Sequence, residues 1–381
     1  MSENSIHPDT LLQYQIVLTL LPGVGPVTAK DLMSYCGGLE GVFKASKKTL
    51  MRVPGIGDKT ADAICNMESA LFLRAEEEVE FIRKKEIKPL FYTDKDYPAN
   101  LRRCKDAPVL LFYKGSADLQ NTKTLSVVGT RNGNDYGQEL CNNLAKGLAP
   151  HQPLVVSGLA FGIDTFIHRA CLQHKLPTVA VLAHGLDAIY PSENREMAMK
   201  MTEHGGIISE YLSKTIPDRE NFPRRNRIVA GLTEATVVVQ TAKKGGSMIT
   251  AYCAAGYNRG VFAFPGRIND PLAVGCNYLI KTKTAELIES AADIIDSLNW
   301  SADQSYNALK VVQQQLFVDL NDDEKKIVAI LEKYQQPVHI DDLMIQCAIG
   351  RGTMAATLLE LELKNILKAM PGSMYKLLSF L

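Results

Sequence analysis

The sequence lacks an excess of charge of either sign. Lys and Arg together number 42, and Asp and Glu also number 42, among the 381 residues. Without a net positive charge, the surface as a whole does not attract nucleic acid, so a site for a polyanion must depend on a local concentration of cations. Long hydrophobic runs are missing too, since Thr, Gly and Pro interrupt stretches such as IVLTLLPGVGPV (16–27). We therefore expect a cytoplasmic protein with no membrane partner and no export signal.

Closely spaced cysteines are also missing. The eight cysteines are scattered singly through the chain, none of them forms a C-x-x-C pair, and no spacing of Cys and His suits zinc. This pattern is typical of a protein in a reducing compartment. We therefore expect no metal site.

The length indicates more than one domain, because 381 residues exceed the usual size of a single hydrophobic core. The apolar spacing predicts an α/β protein in which a Rossmann-like parallel-sheet domain is flanked by two helical domains. The predicted segments are a helix-hairpin-helix domain (1–66), a connector helix with lead-in strands (67–120), the Rossmann-like domain (121–296), a linker (297–315) and a winged-helix domain (316–381).

Two glycine motifs near the N-terminus repeat each other. LPGVG and VPGIG each precede an amphipathic segment, which predicts two helix-hairpin-helix units whose glycines allow the backbone to approach a phosphate. The first 66 residues carry 6 basic and 6 acidic side chains, so a tight turn with no role in DNA binding is an equally good interpretation. The candidate contacts with a DNA backbone are Gly23, Gly25, Gly55, Gly57 and Lys59.

A repeat of strands and helices extends from residue 124 to residue 295. Short β-branched runs begin near residues 125, 154, 178, 206, 236 and 261, with amphipathic segments between them. Crossovers between parallel strands require such spacing. Because ligands of an open parallel sheet bind outside the carboxyl ends of the strands, the loops after these strands are the candidate sites.

The first of these loops, SVVGTRNGNDYG (126–137), does not match a dinucleotide fingerprint. Its three glycines are spaced four residues apart, unlike G-x-G-x-x-G, and the second strand ends in Ser157 and Gly158 where an NAD-binding protein has an acidic residue. We therefore expect no NAD and no other cofactor. Arg131 at the start of the next helix instead suits a phosphate held by a guanidinium and free N–H groups.

Further cationic or glycine-rich segments follow the later strands, and they are SGLAFGID (157–164), FPRRNRIVAGL (222–232) and KKGGSMITA (243–251). Arginines at a helix start oppose the helix dipole, which favours an anionic partner there. Several such loops along one edge suit a chain of phosphates better than a single nucleotide. The aromatic candidates for stacking on bases are Phe161, Tyr190 and Phe222, although a place in the core is an equally good interpretation of each. The carboxylates that we expect to cap helices or brace the arginines are Asp164, Asp187 and Glu210.

Seven segments, taken in order, resemble the DNA-processing protein A (DprA or Smf) family of bacteria. They are SVVGTRNGNDYG, SGLAFGIDTFIHRA, VLAHGLDAIYPSEN, ISEY, FPRRNRIVAGLTEATVVVQ, GGSMITAYCAA and FAFPG. The resemblance is dense over residues 85–295. The two flanking domains are compatible with the same family.

This resemblance implies a protein that binds single-stranded DNA, protects incoming DNA during natural transformation, and loads the RecA recombinase onto it while displacing single-strand-binding protein. It also implies a homodimer through the Rossmann-like domain and no enzymatic activity. By motif, it assigns DNA binding to Gly129, Arg131, Asn134, Ser157, Gly158, Arg224, Arg225, Asn226, Arg227, Lys243, Lys244, Gly245, Gly246 and Ser247.

The sequence departs from the family pattern at three places. Gln240 replaces the usual acidic residue after the fifth strand, Gly245 begins a turn that is usually Ser-Gly-Ser, and Ile167 replaces an Ala before His168. The predicted winged helix has 7 Lys and Arg against 9 Asp and Glu, a net charge of −2. That balance predicts a protein contact or a weak accessory role in DNA binding.

Two other functions are compatible with parts of the pattern. A nucleotide phosphoribohydrolase of the lysine-decarboxylase-like type also uses a Gly-Gly turn before a helix, but it has a catalytic Glu in that helix, and SMITAYCAA has none. A winged-helix transcription regulator would bind duplex DNA through its C-terminal domain. The acidic balance of that domain disfavours the second alternative.

Overall fold

The computed structural model describes residues 8–300, 320–334, 336–364 and 366–378. Its N-terminal part contains the two predicted helix-hairpin-helix units. Their turns contain Gly23 at φ 74° and Gly55 at φ 80°, a left-handed backbone that glycine adopts without strain. The helices of this part are α1 Pro8–Leu20, α2 Pro26–Cys36, α3 Leu39–Lys44, α4 Lys47–Leu50, α5 Asp58–Cys65 and α6 Ser69–Lys84.

A nine-stranded sheet forms the centre of the molecule. The six predicted strands are present, and each begins within one residue of the expected position. The strands are β1 Lys88–Phe91, β2 Leu110–Gly115, β3 Thr124–Val128, β4 Leu154–Ser157, β5 Thr178–Val181, β6 Gly205–Ser209, β7 Ala235–Val238, β8 Gly260–Ala263 and β9 Glu286–Leu287. They lie side by side in the order β1-β2-β6-β5-β4-β3-β7-β8-β9.

At one edge, antiparallel strands from the predicted lead-in segment extend the predicted parallel sheet. β1 pairs antiparallel with β2, and β2 pairs antiparallel with β6, whereas neighbouring strands from β6 to β9 are parallel. The side chains of Leu110, Leu111 and Phe112 in β2 are all buried. A strand buried in this way needs backbone partners, which the free edge of β6 supplies.

Helices cover both faces of the sheet and complete a Rossmann-like domain. They are α7 Ala99–Arg102, α8 Asp135–Leu148, α9 Ile163–Gln173, α10 Arg195–His204, α11 Asn221–Gly231, α12 Gly246–Gly256, α13 Val274–Lys281 and α14 Ala291–Ser297. α8, α9 and α14 bury apolar side chains against one face, and α11, α12 and α13 bury theirs against the other. Burial on both faces explains why the central strands are continuous runs of apolar and β-branched residues.

The start of the predicted linker belongs to this domain. Leu298 and Trp300 are 1% and 3% exposed and pack in the core beside α8 and α14. Removing these large apolar side chains from water is favourable in free energy. The remaining linker residues, 301–315, lie outside the described residues.

The C-terminal part is a winged helix, as predicted. Three helices precede a hairpin, and the three short strands form a sheet of order β10-β12-β11. Its elements are α15 Asp322–Tyr334, β10 Val338–His339, α16 Ile340–Cys347, α17 Arg351–Leu363, β11 Leu367–Met370 and β12 Met374–Leu377. It contacts the Rossmann-like domain through an ion pair of Arg103 with Asp342, at 2.7 Å, and a backbone hydrogen bond from Gly372 N–H to the Asn258 carbonyl. Throughout the described ranges, no helix is long and apolar enough to cross a membrane.

Candidate functional site

The strand order places a topological switch between β3 and β7. The chain proceeds from β3 toward β6 on one side and from β7 toward β9 on the other, and ligands of open α/β sheets bind at such a point. A cavity of about 800 Å³ lies there, and we name it the switch cavity. The sequence-predicted residues that line it are Gly129, Arg131, Gly158, Arg225, Asn226, Gly245, Gly246 and Ser247. The predicted residues outside its lining are Asn134, Ser157, Arg224, Arg227, Lys243 and Lys244.

The loop after β3 is fixed against the end of β7. Thr130 N–H donates to the Gln240 carbonyl at 2.7 Å, and a Cβ at Gly129 would lie 2.9 Å from the same oxygen and collide with Ile163. Only a residue without a side chain allows this approach. The two loops therefore hold Arg131 at the cavity wall.

Asn134 stabilises this loop from behind. Its Oδ1 accepts from Gly137 N–H at 3.0 Å, which caps the amino end of α8, and from Gln240 Nε2 at 2.8 Å. A carboxylate at position 240 has no proton to donate to that oxygen, so the departure from the family pattern at Gln240 has a local physical basis. The structure thus places Asn134 in support of the loop, behind the cavity wall.

An aromatic pair forms one wall of the cavity. The Arg131 guanidinium lies over the ring of Phe222 at 4.9 Å from the centroid, and the rings of Phe222 and Tyr190 are 6.0 Å apart, centroid to centroid. The Tyr190 side chain is 47% exposed, so its ring is accessible. Cation and aromatic faces side by side can bind a phosphate and a flat ring at the same time.

The three arginines of α11 have three different surroundings. Arg225 is buried and donates through Nη1 to the carbonyls of Gly158, at 2.7 Å, and Val181; burial lowers its pKa to about 10, so it stays charged at neutral pH. Arg224 has a side chain that is 67% exposed and lies 3.5 Å from Glu220.

Arg227 turns away from the cavity. It donates to the Asp106 carbonyl at 2.8 Å and forms an ion pair with Glu210, which braces this arginine as the sequence analysis expected. Burial raises the pKa of Glu210, and the Arg227 charge opposes that effect. Arg225 and Arg227 thus anchor α11, while Arg224 is left at the surface.

The loop after β4 differs from the expected anion cradle. The Asp164 carboxylate accepts from the N–H groups of Gly158, at 3.2 Å, and Ala160, at 3.3 Å, so an internal carboxylate already occupies these two amides. Burial raises the pKa of Asp164, although Arg225 and the loop amides favour its charged form. Ser157 is buried and donates to the Val127 carbonyl at 2.6 Å. This loop therefore shapes the cavity and positions Arg225.

The turn before α12 is a candidate anion-binding element of the site. α12 begins at Gly246 after Gly245 and has no side-chain cap, so the N–H groups of its first turn face the cavity mouth. The Ser247 hydroxyl donates to Thr241 Oγ1 at 2.6 Å and holds the turn in place. Lys243 and Lys244 are exposed beside it, with Lys243 Nζ 4.7 Å from the Tyr278 ring centroid.

Arg219 is a site residue that the sequence analysis missed. It lines the switch cavity and is exposed, in the segment that leads into α11. Its position five residues before Arg224 extends the basic run of FPRRNR, and that local excess of arginine is the signal that could have identified it.

The glycines of both helix-hairpin-helix turns, Gly23, Gly25, Gly55 and Gly57, are exposed, but the lysines of the two units have different surroundings. In the first unit, Lys30 Nζ donates to the carbonyls of Cys104 and Lys105, at 3.4 and 3.1 Å, and burial lowers its pKa. In the second unit, Gly55, Gly57 and Lys59 are exposed. Lys30 therefore ties the first unit to the Rossmann-like domain, while the glycines of both turns face solvent.

Together, these residues form a cationic cavity at the switch point of a Rossmann-like sheet. Arg131 and Arg219 supply charge, α12 supplies N–H groups, and the cavity carboxylate, Asp164, is bonded to loop amides. Within the parts of the chain that the structure describes, no cluster of three or more His, Cys, Asp or Glu residues could hold a metal ion. The arrangement can bind phosphate groups and flat rings.

The fold and this site define a class: Rossmann-like proteins with a cationic switch cavity, flanked by a helix-hairpin-helix domain and a winged helix. Residues 88–299, more than half of the chain, match the family DNA recombination-mediator protein A. Residues 16–67 match the SAM-like helix-hairpin-helix tandem, and residues 315–373 match the DprA winged helix domain. The chain belongs to the DNA recombination-mediator protein A (DprA/Smf) family.

Relatives in the family cover most of the chain. Protein Smf of Synechocystis is 32% identical over 95% of this chain and 98% of its own length, and DNA processing protein DprA of Bacillus subtilis is 41% identical over 57% and 73%. The X-ray structure of DprA from Streptococcus pneumoniae is similar at a TM-score of 0.60 and 31% identity, over 74% of this chain and 97% of that one. DprA from Helicobacter pylori, whose structure is described in terms of its single-stranded DNA binding mode, is similar at a TM-score of 0.51 and 28% identity, over 57% and 97%.

Proposed function

We propose that the protein binds single-stranded DNA across the switch cavity. The observation that carries this proposal is the arrangement of Arg131 over Phe222, next to Tyr190 and opposite the uncapped start of α12. Binding of a single strand without sequence preference requires cations for the backbone and aromatic faces for the bases. Both are present within one cavity.

Each part of the cavity has a distinct proposed role. Phosphates bind at the N–H groups of Gly246 and its neighbours, with Arg131 and Arg219 adding charge from the lining and Arg224 adding charge from the surface beside it. Bases stack on the exposed aromatic rings. Lys243 and Lys244 attract the strand from the rim, since a flexible exposed ammonium contributes mainly long-range attraction. Arg225 and Arg227 act as positioning residues.

The biological role that we propose is protection of incoming DNA and loading of the RecA recombinase during natural transformation, in the cytoplasm. Membership in the family supports it, together with the single-stranded DNA binding mode described for the Helicobacter pylori relative. We propose a binding protein without enzymatic activity. The net charge of −2 on the winged helix supports a protein contact or weak accessory role for that domain.

A homodimer through the Rossmann-like domain is part of the proposal. Its support is the exposure of apolar side chains on the elements at the β9 edge of the sheet: Tyr252 is 48% exposed, Val274 36% and Leu287 46%. Exposed apolar groups on neighbouring elements are typical of protein interfaces. Sedimentation of the full-length protein tests this part.

Fluorescence anisotropy with labelled single-stranded and double-stranded oligonucleotides tests DNA binding. We expect tighter binding of the single strand, and weaker binding with a smaller dependence on salt for Arg131→Ala and Lys244→Ala, because each variant removes one counterion-releasing charge. Arg169→Ala is the matched control, since Arg169 is an exposed arginine of the same domain that does not line the cavity. Equal affinities of wild type and both site variants at two salt concentrations would overturn the assignment.

A further inference from the structure

A second cavity lies between the Rossmann-like domain and the winged helix. Its volume is about 270 Å³. Lys123, Glu234 and Arg259, which line it, come directly before β3, β7 and β8, so the cavity is at the amino ends of these strands. The switch cavity lies at their carboxyl ends. The two cavities therefore occupy opposite ends of the sheet.

Both domains contribute cations to this interdomain cavity. Arg103, Lys123 and Arg259 come from the Rossmann-like domain, and Lys376 comes from β12 of the winged helix. The carboxylate in the lining is that of Glu234, which accepts a hydrogen bond from the Trp300 indole N–H at 3.2 Å. Among the lining cations, Arg103 forms an ion pair with Asp342. Cations exceed carboxylates in the lining, which favours an anionic ligand.

Arg259 is the most buried of the four cations that line this cavity. It is 7% exposed, and its Nη2 donates to the Asn100 carbonyl at 2.9 Å. The Cys104 thiol lies beside the guanidinium, yet Arg259 Nε has no hydrogen-bond partner among the described residues. A buried cationic donor without a partner is unfavourable unless an anion or an acceptor reaches it.

The wing of the winged helix is shaped to approach this arginine. Gly372 in the β11–β12 turn has φ 82°, and a Cβ there would lie 2.8 Å from Arg259 Nη1. The absence of a side chain lets the turn sit against the guanidinium. Met370 and Met374 on either side of the turn line the same cavity and supply adaptable apolar surface.

We propose that the interdomain cavity binds a small organic phosphate no larger than a mononucleotide. The phosphate contacts Arg259 and Lys376, and the organic part packs against Met370 and Met374. The volume of about 270 Å³ lies just below the usual range for ligand pockets, roughly 300 to 1,000 Å³, and suits a single small ligand. Because both domains line the cavity, the bound ligand also holds the winged helix against the Rossmann-like domain.

Isothermal titration calorimetry of the full-length protein with dAMP and with inorganic phosphate tests this site. We expect dAMP to bind more tightly than phosphate, and Lys376→Met and Arg259→Met each to weaken dAMP binding about tenfold or more, as loss of one charge-assisted hydrogen bond predicts. Lys368→Met is the matched control, because Lys368 is the exposed cross-strand neighbour of Lys376 and does not line the cavity.

Arg131→Ala distinguishes the two cavities. The proposal is supported if this variant keeps the dAMP affinity of the wild type. It is overturned if dAMP binding is lost in Arg131→Ala but kept in Lys376→Met, since the ligand then occupies the switch cavity. Lack of measurable dAMP binding, or equal affinity for dAMP and phosphate, also overturns it. Lys376→Met keeps the test valid even if the buried Arg259 variant does not fold.

Discussion

The guanidinium of Arg131 lies over the face of the Phe222 ring, with its Cζ 4.9 Å from the ring centroid. Arg131 follows β3, and Phe222 belongs to the first turn of α11, so the contact joins the loop after β3 to the start of α11 in one wall of the switch cavity. A cation over an aromatic face gains about 0.5 to 2 kcal/mol, depending on its exposure to water. The pair therefore orients the arginine that the proposed DNA backbone would meet.

This contact predicts that Arg131 and Phe222 act together in DNA binding. We expect Arg131→Ala and Phe222→Leu each to weaken binding of a single-stranded oligonucleotide, and the double variant to lose about 1 kcal/mol less than the sum of the two, because each single change already disrupts the shared contact. Anisotropy titrations of the four proteins measure this coupling. Additive losses would show that the two side chains act independently.

The open start of α12 predicts that a negative charge there blocks DNA binding without loss of stability. A Cβ at Gly246 meets no atom within 4 Å, so Gly246→Asp fits sterically, and its carboxylate would occupy the N–H groups of the first turn. We expect DNA affinity to fall about tenfold or more while the free energy of unfolding stays within about 0.5 kcal/mol of the wild-type value.

Gly256→Asp is the matched control for that substitution. Gly256 ends the same helix and is equally unobstructed, but it lies at the opposite end from the cavity. A carboxylate at a helix carboxyl end is unfavourable by a few tenths of a kcal/mol. We expect this variant to keep its DNA affinity, and equal loss of affinity in both variants would contradict the location of the phosphate site.

Because Arg225 and Arg224 have different surroundings, we expect substitution by Met to reduce stability at Arg225 and DNA binding at Arg224. Arg225→Met leaves the Gly158 and Val181 carbonyls without their donor, so we expect the free energy of unfolding to fall by about 3 kcal/mol. Arg224→Met should leave stability within about 0.5 kcal/mol and weaken DNA binding, because Arg224 is exposed and adjoins the cavity residues Pro223 and Arg225. Urea denaturation and anisotropy on both variants measure the two effects. Equal stability of the two would remove the positioning role of Arg225.

Glu234 predicts a dependence of stability on pH. Burial raises its pKa from 4.5 to about 7, although the Trp300 indole, Arg259 and Lys123 favour the charged form. A raised pKa in the folded state means that the contribution of this group to stability is complete below pH 4.5 and is lost as the pH rises through about 7. At about 1.36 kcal/mol per pKa unit, the loss is about 3 kcal/mol.

Glu234→Gln removes that titration. Between pH 5 and pH 8, we expect the free energy of unfolding of this variant to change by about 3 kcal/mol less than that of the wild type. Urea denaturation of both proteins measures this difference. Parallel curves for the two proteins would show that Glu234 titrates at its ordinary pKa.

Local patterns in the sequence were sufficient to predict the order of the domains and most of the helices and strands. The repeated Pro-Gly-x-Gly turns predicted both hairpin units, and the spacing of β-branched runs located six strands to within one residue. These features depend on residues close together in the chain, since a glycine at positive φ or a run of buried strand residues has its effect locally. The antiparallel pairing of β2 with β6 was missed because it depends on which edge of the sheet remains free.

The sequence by itself determined that cations and glycines follow the strands at one edge of a parallel sheet, and it therefore predicted a phosphate site there. The tertiary structure alone decided which of them face the cavity. Arg224, Arg225 and Arg227 are nearly adjacent in sequence, yet one is exposed, one is buried under Gly158 and one is paired with Glu210. The physical reason is that a helix turns successive side chains by about 100°, so the partners that each arginine meets come from distant strands.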